Sequence, residues 1–367
     1  MQHCDALIVG GGPAGSSCAT KLRQGGLDVV VLDKAVFPRA KLCAGWITPG
    51  VMESLRIDAD EYASGRVLQA MNGFRVGRIG GPHQVVHYGR TVSFGIRRSE
   101  FDDFLLRRCG ARLQLGESLR SIERFGHDWI VNGQFLTPLV VAAGGHFCPV
   151  ARLLGMARPA KEPTVVAEEF EIELTAAQQA GCPLDPQIPE IYFCDDLLGY
   201  GWCLRKGPLL NVGLGREDPA RLKEHVARFA DFLRQQGRIG GDLFGKFQGH
   251  AYQLYDHSTR PLLAEGVVWI GDAAGLAFTE SGEGIRPAVE SGRLAAEVIL
   301  AADGDYRMER LESYRHRLEG RFGRRRAAPL ASVAPSPLRR LLGRTLLARR
   351  WFVRHVVLDR WFLEKMK

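Results

Sequence analysis

The apolar run Ala6-Leu7-Ile8-Val9 breaks into Gly10-Gly11-Gly12-Pro13-Ala14-Gly15, and no other part of the chain constrains its fold so tightly. Four apolar residues stopped by a glycine turn read as a buried strand. From Ser16 to Arg23 the pattern becomes helical, and Val29-Val30-Val31-Leu32 forms a second apolar run that closes on Asp33. Strand, turn, helix, strand and acid in this order is the arrangement of a dinucleotide cradle. Gly10 permits the tight turn, Gly12 removes a side chain where a pyrophosphate approaches, and Gly15 lets the helix close on the strand. The helix start, with Pro13 and Ala14, offers free N–H groups to the phosphates. Asp33 is expected to accept hydrogen bonds from a ribose, with Lys34 beside it among the cofactor-binding residues. An ordinary α/β unit whose glycines only make a turn is the other reading. Nicotinamide and flavin dinucleotides use the same cradle, so this motif does not choose between them.

The choice comes from Val267-Val268-Trp269-Ile270-Gly271-Asp272, a second apolar strand end, followed by a helix-like stretch from Ile285 to Ala301. Asp272 at such a junction accepts a hydrogen bond from a polyol hydroxyl. The helix opened by Gly284-Ile285 would face the negative charge that a reduced isoalloxazine develops. A nicotinamide has no ribityl chain to place there. Asp272 also suits an N-cap, and the two roles are compatible.

With these residues the chain resembles the para-hydroxybenzoate hydroxylase-like flavoproteins, and within them the geranylgeranyl reductase family. The resemblance rests on Gly10-x-Gly12-x-x-Gly15 with Asp33, Lys41-Leu42-Cys43-Ala44-Gly45, Ile96-Arg97-Arg98-Ser99-Glu100-Phe101-Asp102, Tyr200-Gly201-Trp202 with Asn211-Val212-Gly213-Leu214-Gly215, and Gly271-Asp272 with Gly282-Glu283-Gly284-Ile285. It implies that the first and last elements bind FAD, that Arg98 touches the cofactor, and that the middle of the chain holds an isoprenoid-like molecule. The chain departs from the pattern at Gly144, where the superfamily has an Asp, and at Leu204-Arg205, where a Phe-Pro turn is lost. Arg205 is thereby expected to put a cation near the substrate wall.

The implied fold is α/β (α+β overall): a Rossmann-like FAD-binding domain, an inserted antiparallel-sheet substrate domain and a C-terminal helical tail. The expected boundaries are 1–75, 96–160 and 258–305 for the FAD domain, 76–95 and 161–257 for the substrate domain, and 306–367 for a helical basic segment broken at Pro329, Pro335 and Pro337. A chain of 367 residues, 46% hydrophobic, can bury one large core or two linked ones. Its eight cysteines form no Cys-x-x-Cys pair and no metal-type spacing. No leader-like segment opens the chain and no apolar run reaches the length of a spanning helix. The reading is therefore of reduced thiols in the cytoplasm, with no metal.

The net charge of +8 is concentrated near the C-terminus, where Arg339 to Lys367 carries nine Lys or Arg against two acids, interleaved with Leu, Val, Phe and Trp. One or two amphipathic helices are expected. Their apolar stripe would pack back onto the flavin domain, and their basic face suits an anionic membrane surface, giving a protein peripheral to the inner face of a membrane. No reader module supports nucleic-acid binding.

For chemistry, Cys43 beside Lys41 is the candidate proton donor to an alkene carbon, a buried small hydrophobe being the other reading. Trp46, Tyr200 and Trp202 are candidate walls for a chain-like substrate, or core aromatics. His146 reads as an acid or a cap. The expected function is reduction of carbon–carbon double bonds in a hydrophobic isoprenoid or lipid-like molecule by hydride from reduced FAD. A flavin monooxygenase and a membrane-peripheral electron-transfer flavoprotein are the alternatives. The electron donor, NAD(P)H or ferredoxin, stays open, and a redox partner protein with it.

Overall fold

A computed structural model describes residues 1–156, 164–240, 243, 245–325 and 336–363. Two compact units emerge, each assembled from three stretches of chain. The first comprises Met1–Ala40, Ser99–Pro163 and Tyr252–Ala327; the second comprises Lys41–Arg98, Thr164–Ala251 and Ala328–Lys367.

The apolar runs of the first unit become the centre of a six-stranded sheet, in the order Leu263–Ala264, Val267–Trp269, Val140–Ala142, Ala6–Val9, Val29–Asp33, Arg112–Leu115. All neighbours are parallel except Leu263–Ala264. Strands buried on both faces carry continuous Val/Ile/Leu rather than alternation, which is what these segments show. The register pairs Val9 with both Ala142 and Leu32, and Ala142 with Trp269. Gly10, Ala143, Asp33 and Ile270-Gly271 therefore leave the sheet at the same, carboxyl edge, where open α/β sheets bind ligands. The helices Pro13–Gln24 and Ile285–Ala302 pack together, and their contact is set by Gly292: a Cβ there would lie 2.3 Å from the Ala14 carbonyl oxygen.

The second unit is built on a seven-stranded sheet in the order Gln248–Tyr252, Val165–Glu173, Leu209–Arg216, Gly199–Lys206, Glu190–Phe193, Gly73–Arg78, His83–His87. Alternation sorts its faces. Phe170, Leu210, Val212 and Leu214 turn to one side and pack with Val226, Phe229 and Leu233 of the helix Leu222–Gln235. Ala167, Glu169, Glu171, Trp202, Leu204 and Lys206 belong to the other side. A small sheet of Trp46–Ile47, Ser93–Ile96 and Leu68–Met71 accompanies it.

The crossing from the first unit to the second falls after Ala40, not near residue 75, so that residues 41–75 supply two strands of the small sheet, Trp46–Ile47 and Leu68–Met71, and the start of Gly73–Arg78. The C-terminal portion is also shared. Leu311, Tyr314 and Leu318 join the core of the first unit, whereas Val353, Val357, Leu358 and Phe362 pack with Phe74, Val76, Val86, Ile191 and Phe193 of the second. The apolar stripe expected on the flavin domain thus lies on the other unit, because the complementary apolar strand faces are there. Pro337 sits in the first turn of the helix Ser336–Leu347 and starts it rather than breaking it; Pro329 and Pro335 lie outside the described residues. Among the described residues no helix is long and apolar enough to cross a membrane.

Candidate active site

Each glycine of the opening turn meets a distinct steric demand. Gly10 has φ +114, and a Cβ on it would lie 2.4 Å from the Ala143 carbonyl oxygen; a Cβ on Gly15 would lie 1.9 Å from the carbonyl oxygen of Gly10. Both positions are closed to any side chain by the protein itself. Gly12 differs: its φ is −74, and the nearest atom to a Cβ would be Arg39 Nη2 at an ordinary 3.5 Å. Packing within the fold therefore does not account for the bare Gly12. The helix Pro13–Gln24 has no side-chain cap, which leaves its first N–H groups, Ala14 among them, for a phosphate.

The carboxylate of Asp33 is held by two backbone donors, Gly11 N–H to Oδ2 and Ala35 N–H to Oδ1, each at 2.8 Å. Each oxygen keeps a second lone pair for a ribose hydroxyl. Lys34 is exposed next to it.

A residue without an assigned role in the sequence completes this cradle. Arg39 lies 3.2 Å from the fully buried carboxylate of Asp102, and its guanidinium sits 4.7 Å from the centroid of the Phe37 ring. A cation oriented by an acid and an aromatic face, beside bare Gly12, suits a pyrophosphate. Arg39 stands in no motif; only its position six residues after Asp33 hints at the cradle, and the partner that fixes it comes from the helix Arg98–Arg107.

The late junction closes on the first turn as the sequence suggests. Gly271 has φ +56, and a Cβ there would lie 2.9 Å from the Ala14 Cβ. Its N–H donates to Ser291 Oγ at 3.0 Å. Asp272 Oδ1 lies 3.2 Å from where a Gly284 Cβ would be, at the uncapped start of the helix opened by Ile285. Asp272 belongs to a short 3-10 turn whose N-cap is Ile270, so the N-cap reading of this acid is not what the structure shows. Its side chain is half-exposed, at a helix start that favours negative charge. The glycine cradle, the positioned acid and this second helix terminus together fit FAD. His146 packs toward Arg260, with Nδ1 3.3 Å from Nη2.

The second unit gathers the remaining candidates. Trp46 stacks on Phe362 at 5.4 Å and tilts on Phe74 at 5.1 Å; Tyr200 meets Phe362 at 5.4 Å and Trp202 at 6.1 Å. Trp46, Tyr200 and Trp202 are therefore joined through Phe362 in one aromatic cluster, in which Trp202 is buried. Trp202 Nε1 donates to Asn211 Oδ1 at 2.7 Å, and Asn211 Nδ2 donates to the Cys43 carbonyl oxygen at 3.3 Å. Cys43 is half-buried against this wall, while Lys41 is exposed. Arg98, at the start of its helix, is 8% exposed.

The cation on the wall is not Arg205. That side chain turns to the opposite face of its strand and donates to the carbonyl oxygens of Gly207 and Gln179. The period of two from Trp202 selects Lys206 instead. Its Nζ donates to the Ala44 carbonyl at 2.8 Å, the Ile96 carbonyl at 2.9 Å and Glu171 Oε2 at 2.6 Å, and its side chain is fully buried. Glu169 lies one register step from Glu171, opposite Gly213, and is 1% exposed. Burial pushes its carboxyl up to about 7, against the pull of Lys206, Lys41 and Arg98. His250 is driven down to about 4 by burial and by Lys41 and Arg98, so that it is neutral. The sequence reading passed over Glu169, Glu171 and Lys206; strand alternation from Trp202 and Asn211 was the available signal.

Comparison with known proteins agrees with this geometry. Residues 3–79 match the family described as FAD binding domain. The chain is similar to geranylgeranyl diphosphate reductase of Rhodobacter capsulatus, 30% identical over 325 residues, covering 81% of this chain and 75% of that protein. It is also similar to digeranylgeranylglycerophospholipid reductase 1 of Methanothermobacter thermautotrophicus, 26% identical, covering 86% and 82%. Among solved structures, a geranylgeranyl bacteriochlorophyll reductase-like protein of Thermoplasma acidophilum superposes with a TM-score of 0.75 at 21% identity, covering 100% of this chain and 92% of the other.

Proposed function

Because the chain belongs to the geranylgeranyl reductase family of FAD-dependent oxidoreductases, we propose that it saturates carbon–carbon double bonds in the polyprenyl chain of a lipid-like substrate. The observation that supports this reading is the aromatic cluster of Trp46, Tyr200 and Trp202, of which Tyr200 and Trp202 share the strand face of the buried Glu169. Reduced FAD, when bound, supplies the hydride.

The protein's own residues bind, orient and protonate. Gly10, Gly12, Gly15 and the helix start at Pro13 and Ala14 receive the pyrophosphate, Arg39 adds a fixed cation, and Asp33 and Lys34 serve the adenosine end. Asp272 holds a ribityl hydroxyl, with Gly271, Gly284 and Ile285 shaping the helix start beside it. Arg98, with the half-buried Cys43 and exposed Lys41, edges the polar side of the second unit's wall. The aromatic wall takes the chain by area rather than by hydrogen bonds, which suits a ligand without polar groups along its length.

The test is anaerobic incubation of the dithionite-reduced, FAD-loaded protein with geranylgeranyl diphosphate and with a geranylgeranylated glycerophospholipid, followed by mass analysis. The expected product carries two more hydrogen atoms per double bond. A product formed only with O2 and heavier by one oxygen atom would refute the reading in favour of a monooxygenase.

The C-terminal portion supports a site of action at an anionic bilayer. Leu338, Leu341, Leu342 and Trp351 are exposed beside the exposed Arg340, Arg344, Arg349 and Arg350. Apolar and cationic side chains sharing one exposed stretch suit a lipid interface. Flotation with phosphatidylglycerol vesicles but not with phosphatidylcholine vesicles is expected, and loss of flotation in the Trp351→Glu/Leu341→Glu double variant. Equal behaviour toward both vesicles would refute it.

A further inference from the structure

Resting on the placement of Asp272 at the ribityl chain, we infer that Arg260 and Arg325 are positioning residues for FAD: together they brace the turn from Gly271 to Gly275, and their charge favours the reduced cofactor over the oxidised one. Both arginines and the turn belong to the first unit. Arg260 Nη1 donates to the Asp272 carbonyl oxygen at 2.9 Å, and Arg325 Nη2 donates to the Ala274 carbonyl oxygen at 2.6 Å. Arg325 Nη1 donates at 2.7 Å to the carbonyl oxygen of Arg260 itself. One guanidinium thus spans the other arginine and the turn, and the two act as a single brace. Ser258 joins it: its hydroxyl reaches the Ala274 carbonyl oxygen at 3.4 Å and Gln253 Oε1 at 3.0 Å, and its Oγ accepts the Arg260 N–H at 3.3 Å. A Cβ on Gly275, where φ is +69, would lie 2.1 Å from Ser258 Oγ, so the turn seats against the brace with no room for a side chain. Tyr255 fixes the far arm. The Arg325 guanidinium sits 5.3 Å from the centroid of its ring, and its hydroxyl donates to the Gly323 carbonyl oxygen at 2.7 Å.

Two neutral donors would hold these carbonyls equally well, so the charge calls for a reason of its own. Arg260 is 7% exposed and Arg325 half-buried, and burial works against the charge of Arg325. Among the described residues Arg325 Nε has no hydrogen-bond partner, and the two hydrogen bonds of its fork go to carbonyl oxygens rather than to a carboxylate. A cation kept under cover without a carboxylate bonded to it leaves positive potential at the turn. Reduced FAD carries a negative charge on its isoalloxazine that oxidised FAD lacks, so this potential is worth more to the reduced form. The effect needs no contact: at an effective dielectric of about 20, a unit charge about 12 Å away changes affinity for an anion about tenfold. The span is a separate matter. A planar guanidinium reaches the Arg260 and Ala274 carbonyls at once, whereas an ammonium carries the charge without the fork. The assignment holds whichever molecule takes the hydride.

The test uses the full chain, FAD-free and FAD-loaded, as wild type, Arg325→Gln, Arg325→Lys and Asp272→Ala. Urea unfolding of the FAD-free protein, the Kd of oxidised FAD by fluorescence quenching, and the midpoint potential of bound FAD by equilibration with a reference dye are read on each. Arg325→Gln is expected to weaken oxidised FAD about tenfold and reduced FAD about a hundredfold, which lowers the potential of this two-electron couple by about 30 mV. Arg325→Lys is expected to share the weaker Kd and to keep the wild-type potential. An arginine that serves the fold alone would lower stability and weaken both redox forms alike, so an Arg325→Gln protein with the wild-type potential would overturn the assignment. Where Arg325→Gln does not fold, Arg325→Lys decides: a wild-type Kd in that variant would overturn the brace. Asp272→Ala is expected to raise the Kd of FAD. A wild-type Kd there would instead sink the placement of Asp272 on which the assignment rests.

Discussion

Replacing Gly12 by alanine separates what the opening turn does for the fold from what it does for the cofactor. The new methyl would meet only the far end of Arg39, at 3.5 Å, and φ −74 is open to any residue. Alanine loses an N-cap advantage of roughly 1 kcal/mol relative to glycine, and the reduced freedom of the unfolded chain returns about 0.4–1 kcal/mol. The stability of the FAD-free protein is therefore expected to stay within about 1 kcal/mol of wild type. FAD binding is expected not to be spared, since in the proposed pyrophosphate site the methyl would stand where a phosphate oxygen reaches the first N–H groups of the helix. Losing two hydrogen bonds to a charged group, at about 1.5–3 kcal/mol each, predicts a Kd raised at least about a hundredfold. Gly15→Ala is the contrasting variant. Its methyl would lie 1.9 Å from the Gly10 carbonyl oxygen, a backbone atom that moves only if helix and strand part, so the FAD-free fold itself should lose several kcal/mol. Urea unfolding followed by circular dichroism and titration of FAD by quenching of its fluorescence measure both quantities. A Gly12→Ala protein that binds FAD as tightly as wild type, or that is as unstable as Gly15→Ala, would refute the assignment of that space to the pyrophosphate.

Other perturbations follow from the same geometry. Asp102→Ala strips the buried partner from Arg39 and is expected to cost about 3 kcal/mol in urea unfolding and to weaken FAD binding as well; an unchanged Kd would mean that Arg39 does not face the cofactor. Trp202→Phe removes the 2.7 Å bond to Asn211 Oδ1 and leaves a buried acceptor unpaired, at about 1–3 kcal/mol of stability, with a higher KM for the polyprenyl substrate; thermal unfolding and steady-state kinetics report the two effects. The raised carboxyl of Glu169 gives stability a definite pH dependence. The folded state binds this proton more tightly than the unfolded chain, so its contribution is complete below the ordinary value of 4.5 and is lost as pH rises through about 7. Glu169→Gln should therefore gain stability relative to wild type between those limits, read as Tm against pH. The lowered His250 runs the other way, its contribution present above 6.5 and lost as pH falls through about 4.

Much of the first unit was legible in the sequence because its signals are local. Glycines stopping apolar runs, and an acid closing the second run, name the strand ends and the cradle, since each residue's role is fixed by neighbours within a turn or two of chain. The helical patterns from Ser16 to Arg23 and from Ile285 to Ala301 form as read, within the helices Pro13–Gln24 and Ile285–Ala302, periodicity being a property of the segment itself. The unit boundaries were less legible: nothing local marks the crossing after Ala40, and the C-terminal portion divides between two cores according to which strand faces can receive it.

By itself, then, the sequence determined a flavin-type glycine turn and an α/β sheet to carry it, because backbone conformation and hydrophobic period are written in adjacent residues. Tertiary structure decided which charges count. Lys206 rather than Arg205 reaches the wall because successive strand residues face opposite ways. Arg39 faces Gly12 because Asp102, from a distant helix, holds it there. The Glu169 carboxyl is pushed up to about 7 because burial and the cost of desolvating a charge are set by everything packed around it, and no stretch of chain records that alone.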